Sequence, residues 1–282
     1  MGTRMFQLSR SRALVFIACA IAGISTPLVA QYLKYPTAGV PRLANGKVNR
    51  SAPAPRTPDG KPDFSGLWVT DRPFCPTGPD PDSVLCGLEL PIGVDGFDLG
   101  ASLKGGLPYQ PWLATLVKER IANDHKDDPH VRCMPDTFLR AYSLPHFLKF
   151  AQTPGLLIML SEVNASYRQV FLDGRPLPED PTPSWQGYSS ATWEGDTLVI
   201  DSNGFRNGLW IDWNGSELTE AAKVRERIRR PDYGHLEIEV TVDDPKAYTK
   251  PWTVTLKQRI VVDTELVDEI CLENEKSAQR MK

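Results

Sequence analysis

Apolar and polar residues alternate most regularly in the C-terminal half of the chain. In the segment HLEIEVTV, Leu236, Ile238, Val240 and Val242 share one face, and the residues between them are polar. A period of two predicts a β-strand with one face in an apolar core. Similar runs recur from Phe147 onward at intervals of about 8–12 residues, with turn residues between them. We therefore predict an antiparallel meander of about eight strands.

A meander of this length would expose two unpaired edges if it were flat. Closure into a barrel removes both edges. We therefore predict a mainly β fold in which an antiparallel meander closes into a barrel. A two-sheet sandwich is the alternative.

One hairpin raises a functional question. In Ser189–Phe205, two strand-like runs flank Glu194-Gly195-Asp196, and Gly195 is free to adopt a positive φ. The simpler interpretation is a solvated turn with two charges. The alternative places two carboxylates at the rim of a site.

Helical periodicity is found in a shorter region before these strands. Pro111 suits the first turn of a helix, and Leu113, Leu116, Val117 and Ile121 then repeat with helical spacing. We predict one or two helices packed on the barrel, within a helical and loop insertion at about residues 72–146.

The first thirty residues resemble a secretory signal peptide. Arginines precede the apolar run Ala13–Ile24, and small residues lead to a predicted cleavage site after Ala30. The run is shorter than a comfortable membrane span. We predict a signal peptide at 1–30, a Pro-rich extended leader at 31–61 and one barrel domain at 62–282. The mature protein would be periplasmic or secreted and would keep no stable membrane span, although an uncleaved anchor is the alternative.

If the protein is exported, its cysteines are expected to form disulfides, because disulfides persist in oxidising compartments. Cys75, Cys86, Cys133 and Cys271 remain after cleavage, and Cys75 and Cys86 bracket a Pro- and Asp-rich loop. We favour the pairings Cys75–Cys86 and Cys133–Cys271 among the three that are possible. A zinc site is disfavoured because the sequence contains no CxxC pair and only four histidines.

Charge and motifs exclude several classes of function. The net charge is −3 over 282 residues, so no basic surface for nucleic acid is predicted. The sequence contains no nucleotide loop, nucleophile elbow, haem motif or metalloprotease motif. We therefore expect neither cofactor nor metal. The oligomeric state is left open.

Aromatic residues concentrate near the strand connections after residue 180. Rings with polar edges suit a small flat or hydrophobic ligand, although packing in the core is the alternative for each of them. The candidate ligand-binding residues are Trp185, Tyr188, Trp193, Trp210 and Trp213. Arg175 is added because its planar fork could bind a ligand carboxylate. In the alternative, Asp173 caps a turn and Arg175 pairs with a neighbouring strand.

Candidate catalytic residues are fewer. His146 is a potential general base near neutral pH, and Asp173 and Glu194 are the carboxylates that we predict near the same cavity. The alternating charges of Arg225–Arg230 are more simply explained by cross-strand ion pairs on the exterior.

Several long segments resemble a group of uncharacterised exported bacterial proteins that begin with PD(L/F)SG(L/V)W. The matching stretches include Pro62–Trp68, Leu116–Pro135, Tyr167–Ser189, Trp193–Asp201 and Val240–Val254. The resemblance implies one structural unit, and it implies no established reaction. The GLW residues are also similar to the first strand of lipocalin-like barrels. At Leu218 the chain departs from the group, which often has a histidine there.

Three functional hypotheses follow. The first is an exported barrel that binds a small apolar or aromatic molecule in its mouth. The second is a lyase, isomerase or hydrolase without a cofactor, acting in the same cavity. The third is an envelope scaffold held near a partner by the leader.

Overall fold

The computed structural model describes residues 36–71, 99–144 and 146–271, and these residues form mainly β structure. The α-helices are α1 (Pro111–Ala122) and α2 (Phe138–Ser143), and short 3-10 helices span Leu99–Ser102 and Pro129–Arg132. The strands are β1 (Gly66–Thr70), β2 (Leu148–Gln152), β3 (Leu156–Ser161), β4 (Tyr167–Phe171), β5 (Tyr188–Glu194), β6 (Thr197–Asn203), β7 (Leu209–Trp210), β8 (Glu217–Leu218), β9 (Lys223–Arg229), β10 (His235–Asp243) and β11 (Trp252–Val261).

Nine of these strands close into a barrel, which confirms the predicted architecture. Their order is β1-β11-β10-β9-β6-β5-β4-β3-β2, and β1 pairs with both β11 and β2. The short strands β7 and β8 pair with each other in the chain segment that connects β6 to β9. No helix in the described parts of the chain is both long and apolar enough to cross a bilayer.

One strand pair departs from the predicted antiparallel meander. β4 and β5 are parallel, and only Val170 with Ser189 and Phe171 with Ser190 are in register. The Pro-rich connection at residues 172–187 returns the chain to the second half of β4, and β5 then runs in the same direction as β4. We call this incompletely paired junction the β4–β5 seam.

The barrel interior is filled by the apolar residues that alternate with polar ones along the strands. Leu236, Ile238, Val240 and Val242 of β10 are fully buried, and the residues between them are partly exposed. Trp68 of β1 also points inward and donates its indole N–H to the carbonyl of Phe64 at 3.0 Å. Burying each large apolar side chain stabilises the fold by about 1.5–3 kcal/mol.

Helix α2 fills part of the barrel interior. All six residues of α2 are buried. Tyr142 reaches inward side chains of three strands, Met159, Arg168 and Glu226. The cavity beside Tyr142 measures about 20 Å³, which is space for about one water molecule.

A buried ion pair joins the strands on both sides of the seam. Arg168 of β4 bonds Glu226 of β9 through Nη1 at 3.1 Å, and both side chains are almost completely buried. Its Nε and Nη2 donate to the hydroxyls of Ser189 and Ser202 at 3.1 and 3.0 Å. Burial opposes the charge of Arg168, but the Glu226 carboxylate outweighs it and raises the arginine pKa. The side chains of this network therefore link β4, β5, β6 and β9, across a seam where β4 and β5 share only two backbone pairs.

The charge run of β9 divides between the two faces of the barrel. Arg225, Arg227 and Arg229 form exposed ion pairs with residues of β6, β5 and β10, as predicted for cross-strand pairs. Glu226 and Arg230 point inward and are buried. The prediction of a wholly exterior charge run is wrong for these two, because side chains alternate between the faces of a strand.

The predicted turn at Glu194-Gly195-Asp196 is also present. β5 ends at Glu194 and β6 begins at Thr197, with Gly195 at φ 60°. Glu194 pairs with Arg227, and Asp196 pairs with Arg56 of the leader at 2.6 Å. The turn therefore serves as an anchor for the described part of the leader.

The described part of the leader lies on the barrel surface. Arg42 pairs with Asp263 at 2.6 Å, and the carbonyl of Ala52 accepts the amide of Tyr233 at 2.8 Å. These contacts attach the Pro-rich leader to the barrel. The predicted signal peptide and residues 31–35 lie outside the described residues.

The predicted Cys133–Cys271 disulfide is present. It attaches the end of the described chain beside β3, where Glu269 donates its amide to the carbonyl of Glu162 at 2.9 Å. The predicted Cys75–Cys86 bond lies outside the described residues.

We expect Glu226→Gln to destabilise the protein by about 3–5 kcal/mol, because it leaves the charge of Arg168 buried and uncompensated. Urea denaturation followed by tryptophan fluorescence measures the change. The control is Arg225→Gln, which breaks the exposed pair with Asp201 and is expected to cost less than about 1 kcal/mol. Equal losses for the two variants would contradict the role assigned to the buried pair.

We also expect the double variant Cys133→Ser/Cys271→Ser to lose about 2–5 kcal/mol, because the bond closes a long loop. The two cysteines are 138 positions apart. Denaturation of the oxidised protein and the variant measures the loss, and peptide mapping without reduction identifies the pairings. Detection of alkylated Cys133 in the native oxidised protein would refute the bond, and the same map tests Cys75–Cys86.

Candidate functional site

The best candidate site is a groove on the outside of the barrel, at the β4–β5 seam. Because the two strands diverge beyond their two paired residues, the wall opens there into a hollow of about 560 Å³. This volume lies within the range of small-molecule sites. We call it the seam groove, and its principal lining residues are Tyr167, Gln169, Phe171, Trp185, Gln186 and Tyr188.

Aromatic side chains form one wall of the seam groove. The rings of Phe171 and Tyr188 stack with centroids 5.3 Å apart. Tyr167 is 60% exposed at the rim, so its ring is accessible to a ligand. Stacked and exposed rings provide a flat apolar surface with polar edges.

Trp185 and Tyr188 are positioned by the end of the Pro-rich connection. Ser184 pairs with the chain after β6, donating its amide to Gly204 at 2.9 Å and accepting the amide of Arg206 at 3.1 Å. Gly187 has φ 67°, and a Cβ there would lie 2.6 Å from the carbonyl oxygen of Asn203. Glycine is therefore required for this close approach.

The floor of the groove is formed by side chains that already have partners. Arg168 lines both the groove and the small cavity beside Tyr142, and its guanidinium bonds Glu226, Ser189 and Ser202. The Gln186 amide bridges to α2, donating to the carbonyl of Asp136 at 2.7 Å and accepting the amide of Phe138 at 3.0 Å. The floor is therefore held rigidly before any ligand binds.

Arg175 lies beside the groove, and its guanidinium is already hydrogen-bonded to Asp173. Its Nε donates to Asp173 at 2.9 Å, and the guanidinium lies 4.0 Å from the centroid of Phe171. The hydrogen bond to Asp173 raises the pKa of Arg175 above its ordinary value. Asp173 also accepts the Arg175 amide at 3.2 Å, so it caps the turn as the alternative interpretation proposed. The ion pair of Arg175 is local, and its guanidinium also interacts with Tyr188 of β5.

The other predicted ligand-binding residues lie elsewhere. Trp193 stacks on Phe64 with centroids 5.6 Å apart, beneath Lys61 of the leader. Trp210 is buried against Arg120, whose guanidinium lies 4.5 Å from the ring centroid. Trp213 lies beside His125. Trp185 and Tyr188 therefore share the seam groove, and the remaining tryptophans do not.

The predicted catalytic residues do not form one constellation. His146 precedes β2 and lies beside the end of β3, with Nδ1 3.3 Å from the carboxylate of Glu162. Asp173 follows β4 near the beginning of β3, and Glu194 ends β5 in an ion pair with Arg227. His146 and Asp173 are thus at opposite ends of β3.

A second histidine–carboxylate pair was missed in the sequence. His130 Nδ1 lies 2.9 Å from the carboxylate of Asp136, which is nearly buried and also lies 3.4 Å from Arg140. Arg140 makes a bidentate pair with buried Asp128 at 2.6 and 2.7 Å. The Asp136 hydrogen bond raises the pKa of His130 against the opposing effect of burial. The only sequence signal was the close spacing of Asp128, His130 and Asp136, which does not specify a shared contact.

The His130–Asp136 and His146–Glu162 pairs lie side by side. The rings of His130 and His146 are 6.4 Å apart between centroids. Their carboxylate partners flank segments that line the seam groove, since Pro135 precedes Asp136 and Asn164 follows Glu162 closely. Within the described parts of the chain, no three His, Cys, Asp or Glu side chains are grouped to hold a metal ion.

A second groove of about 600 Å³ lies on the outer face of β5, β6 and β9. Leu177 forms an apolar side, and the Asp201–Arg225 ion pair crosses the exposed floor at 2.7 Å. It contains no aromatic side chain among its lining residues. The seam groove is therefore the better site for an apolar or aromatic ligand.

No protein-family model matches the chain, and no curated protein matches it. The resemblance to the PD(L/F)SG(L/V)W group therefore stays a prediction. Leu218, where that group often has a histidine, is fully buried in β8.

We expect His130 to stabilise the fold more at low pH than at high pH. Its folded pKa is above the ordinary 6.5, so the contribution is complete below about pH 6.5 and is lost as pH rises through the folded pKa. Urea denaturation of wild type and His130→Asn across this range measures the difference. In an Asp136→Asn background the pH dependence of the His130 substitution should disappear. A difference that grows with pH would contradict the pairing.

Proposed function

We propose that this protein binds a small apolar or aromatic molecule in the seam groove. The observation that supports this most directly is the hollow of about 560 Å³ with Phe171, Trp185 and Tyr188 on its wall. A ligand that covers these rings would remove apolar surface from water on both partners, which is the main source of affinity in such sites.

Preorganisation supports the same proposal. Phe171 is stacked on Tyr188, and Gln186 and Arg168 are held by several hydrogen bonds. A ligand would therefore bind without ordering the groove first, and less of its interaction energy would be spent on lost side-chain freedom. The exposed ring of Tyr167 offers a further aromatic surface at the rim.

We propose further that the protein acts after export, in the periplasm or outside the cell. The predicted signal peptide supports this, and the Cys133–Cys271 bond is compatible with an oxidising compartment. Mass spectrometry of the protein from its own cells tests the proposal. A mature chain beginning at Gln31 is expected, and an intact N-terminus on a cytoplasmic protein would refute it.

Acid–base catalysis is the second candidate function, and the two histidine–carboxylate pairs are the observation that favours it. His130 and His146 are each oriented by a carboxylate, at 2.9 and 3.3 Å. Such pairs are typical of general bases, whose efficiency depends on orientation and pKa. Incubation of protein with a bound ligand, followed by mass spectrometry, distinguishes conversion from binding. Conversion that is lost in His146→Gln and His130→Gln would favour catalysis.

We expect Trp185→Ala and Tyr188→Ala each to weaken ligand binding about tenfold or more, because each removes aromatic contact area from the groove wall. Native mass spectrometry of the natively purified protein would first identify a co-purifying molecule, and titration calorimetry would then measure its affinity. Trp112→Ala is the matched control, because Trp112 is an exposed ring on α1 outside the groove. Unchanged affinity in both groove variants would refute the proposed site.

A further inference from the structure

Arg206 is the one arginine beside the seam groove for which the described residues supply no carboxylate partner. Arg168 is paired with Glu226, and Arg175 with Asp173. Arg206 is exposed, and its guanidinium lies 4.7 Å from the centroid of Trp185. Its charge is therefore not neutralised by a neighbouring acid in this part of the structure.

The backbone places Arg206 at the groove edge. Its amide donates to the carbonyl of Ser184 at 3.1 Å, and both Ser184 and Trp185 line the groove. The guanidinium lies over the indole ring of Trp185, so its N–H donors are close to the aromatic wall of the groove.

The groove lining is complementary to negative charge. Its side chains include no aspartate or glutamate, and its one charged side chain is the paired Arg168. A cationic ligand would find no counter-charge and would be repelled by Arg206. A neutral ligand would leave the arginine fork unused. An anion would use the fork and keep its apolar part on the aromatic wall.

We infer that the seam groove takes an aromatic or apolar carboxylate, with Arg206 as the residue that binds the carboxylate group. This inference rests on the proposed function and specifies its ligand class. One planar guanidinium matches one carboxylate through two parallel hydrogen bonds. The apolar part of the ligand then lies against Trp185 and Tyr188.

Two probes that differ only in charge test this inference. Cinnamate and its neutral amide, cinnamamide, have the same flat ring and side chain, and calorimetry measures both affinities. We expect wild type to bind cinnamate about tenfold more tightly than cinnamamide, because a charged acceptor strengthens the arginine hydrogen bonds. Raising the ionic strength should weaken cinnamate binding and leave cinnamamide binding nearly unchanged.

Arg206→Met should abolish the preference by weakening cinnamate binding to the level of the amide. Arg206→Lys should keep part of the preference, because lysine retains the charge without the planar fork. The control is Arg229→Gln, which removes an exposed arginine on β9 that is paired with Glu237. Since Arg206 is exposed, circular dichroism should show the fold of its variants unchanged.

The outcomes separate the two proposals. Equal binding of cinnamate and cinnamamide by wild type, or a preference that survives Arg206→Met, overturns the carboxylate inference and leaves the groove as a binding site. Failure of both probes to bind contradicts the proposed function for flat aromatic molecules, and this inference fails with it.

Discussion

The buried pair of Arg168 and Glu226 is the interaction on which the seam depends. β4 and β5 share only two residue pairs in register, so the backbone alone does not close the wall there. Arg168 extends from β4 to Ser189 on β5, Ser202 on β6 and Glu226 on β9. A single guanidinium thus provides the contacts that a longer strand pair would otherwise supply. Because a buried charge is stable only with its partners in place, the four strands are held in one arrangement.

The same divergence of strands produces both the buried network and the groove outside it. Inside, the space between β4 and β5 is filled by Arg168, its partners and Tyr142 of α2. Outside, the gap leaves a hollow in front of Phe171, Trp185 and Tyr188. A barrel whose interior is packed in this way can still offer a binding surface on its wall. The candidate binding site therefore lies on the outer side of the seam. The floor of this groove includes Arg168, which also belongs to the buried network.

Contacts distant in sequence fix the segments around the barrel. The leader is attached through Arg42 to Asp263 and through Arg56 to Asp196, and the last described residue is bonded to Cys133. His130 pairs with Asp136 across Cys133, and His146 pairs with Glu162 just after β3, next to residues that line the groove. His130, whose pKa is raised by its hydrogen bond to Asp136, is therefore close in the chain to Pro135 of the groove lining.

The sequence by itself determined the elements whose cause is local. Alternation over His235–Asp243 specified a strand with one buried face, Gly195 marked the hairpin turn, and Pro111 marked the start of α1. The strand, the turn and the helix start each depend on the spacing of apolar side chains or on the backbone preference of a single residue. The even number of cysteines also allowed the Cys133–Cys271 bond to be predicted as one of the pairings.

Only the tertiary structure decided which residues meet. The pattern of β9 placed Glu226 on the same face as Val224 and Ile228, yet its charge suggested an exposed position until Arg168, on another strand, supplied a partner. Likewise, five aromatic candidates were equivalent in the sequence, and the folded chain brought Trp185 and Tyr188 together while directing Trp193 towards Phe64. The physical reason is that burial of a charge or assembly of a pocket depends on contacts between distant segments. Strand order and register create those contacts, and neither is encoded in the local period of the chain.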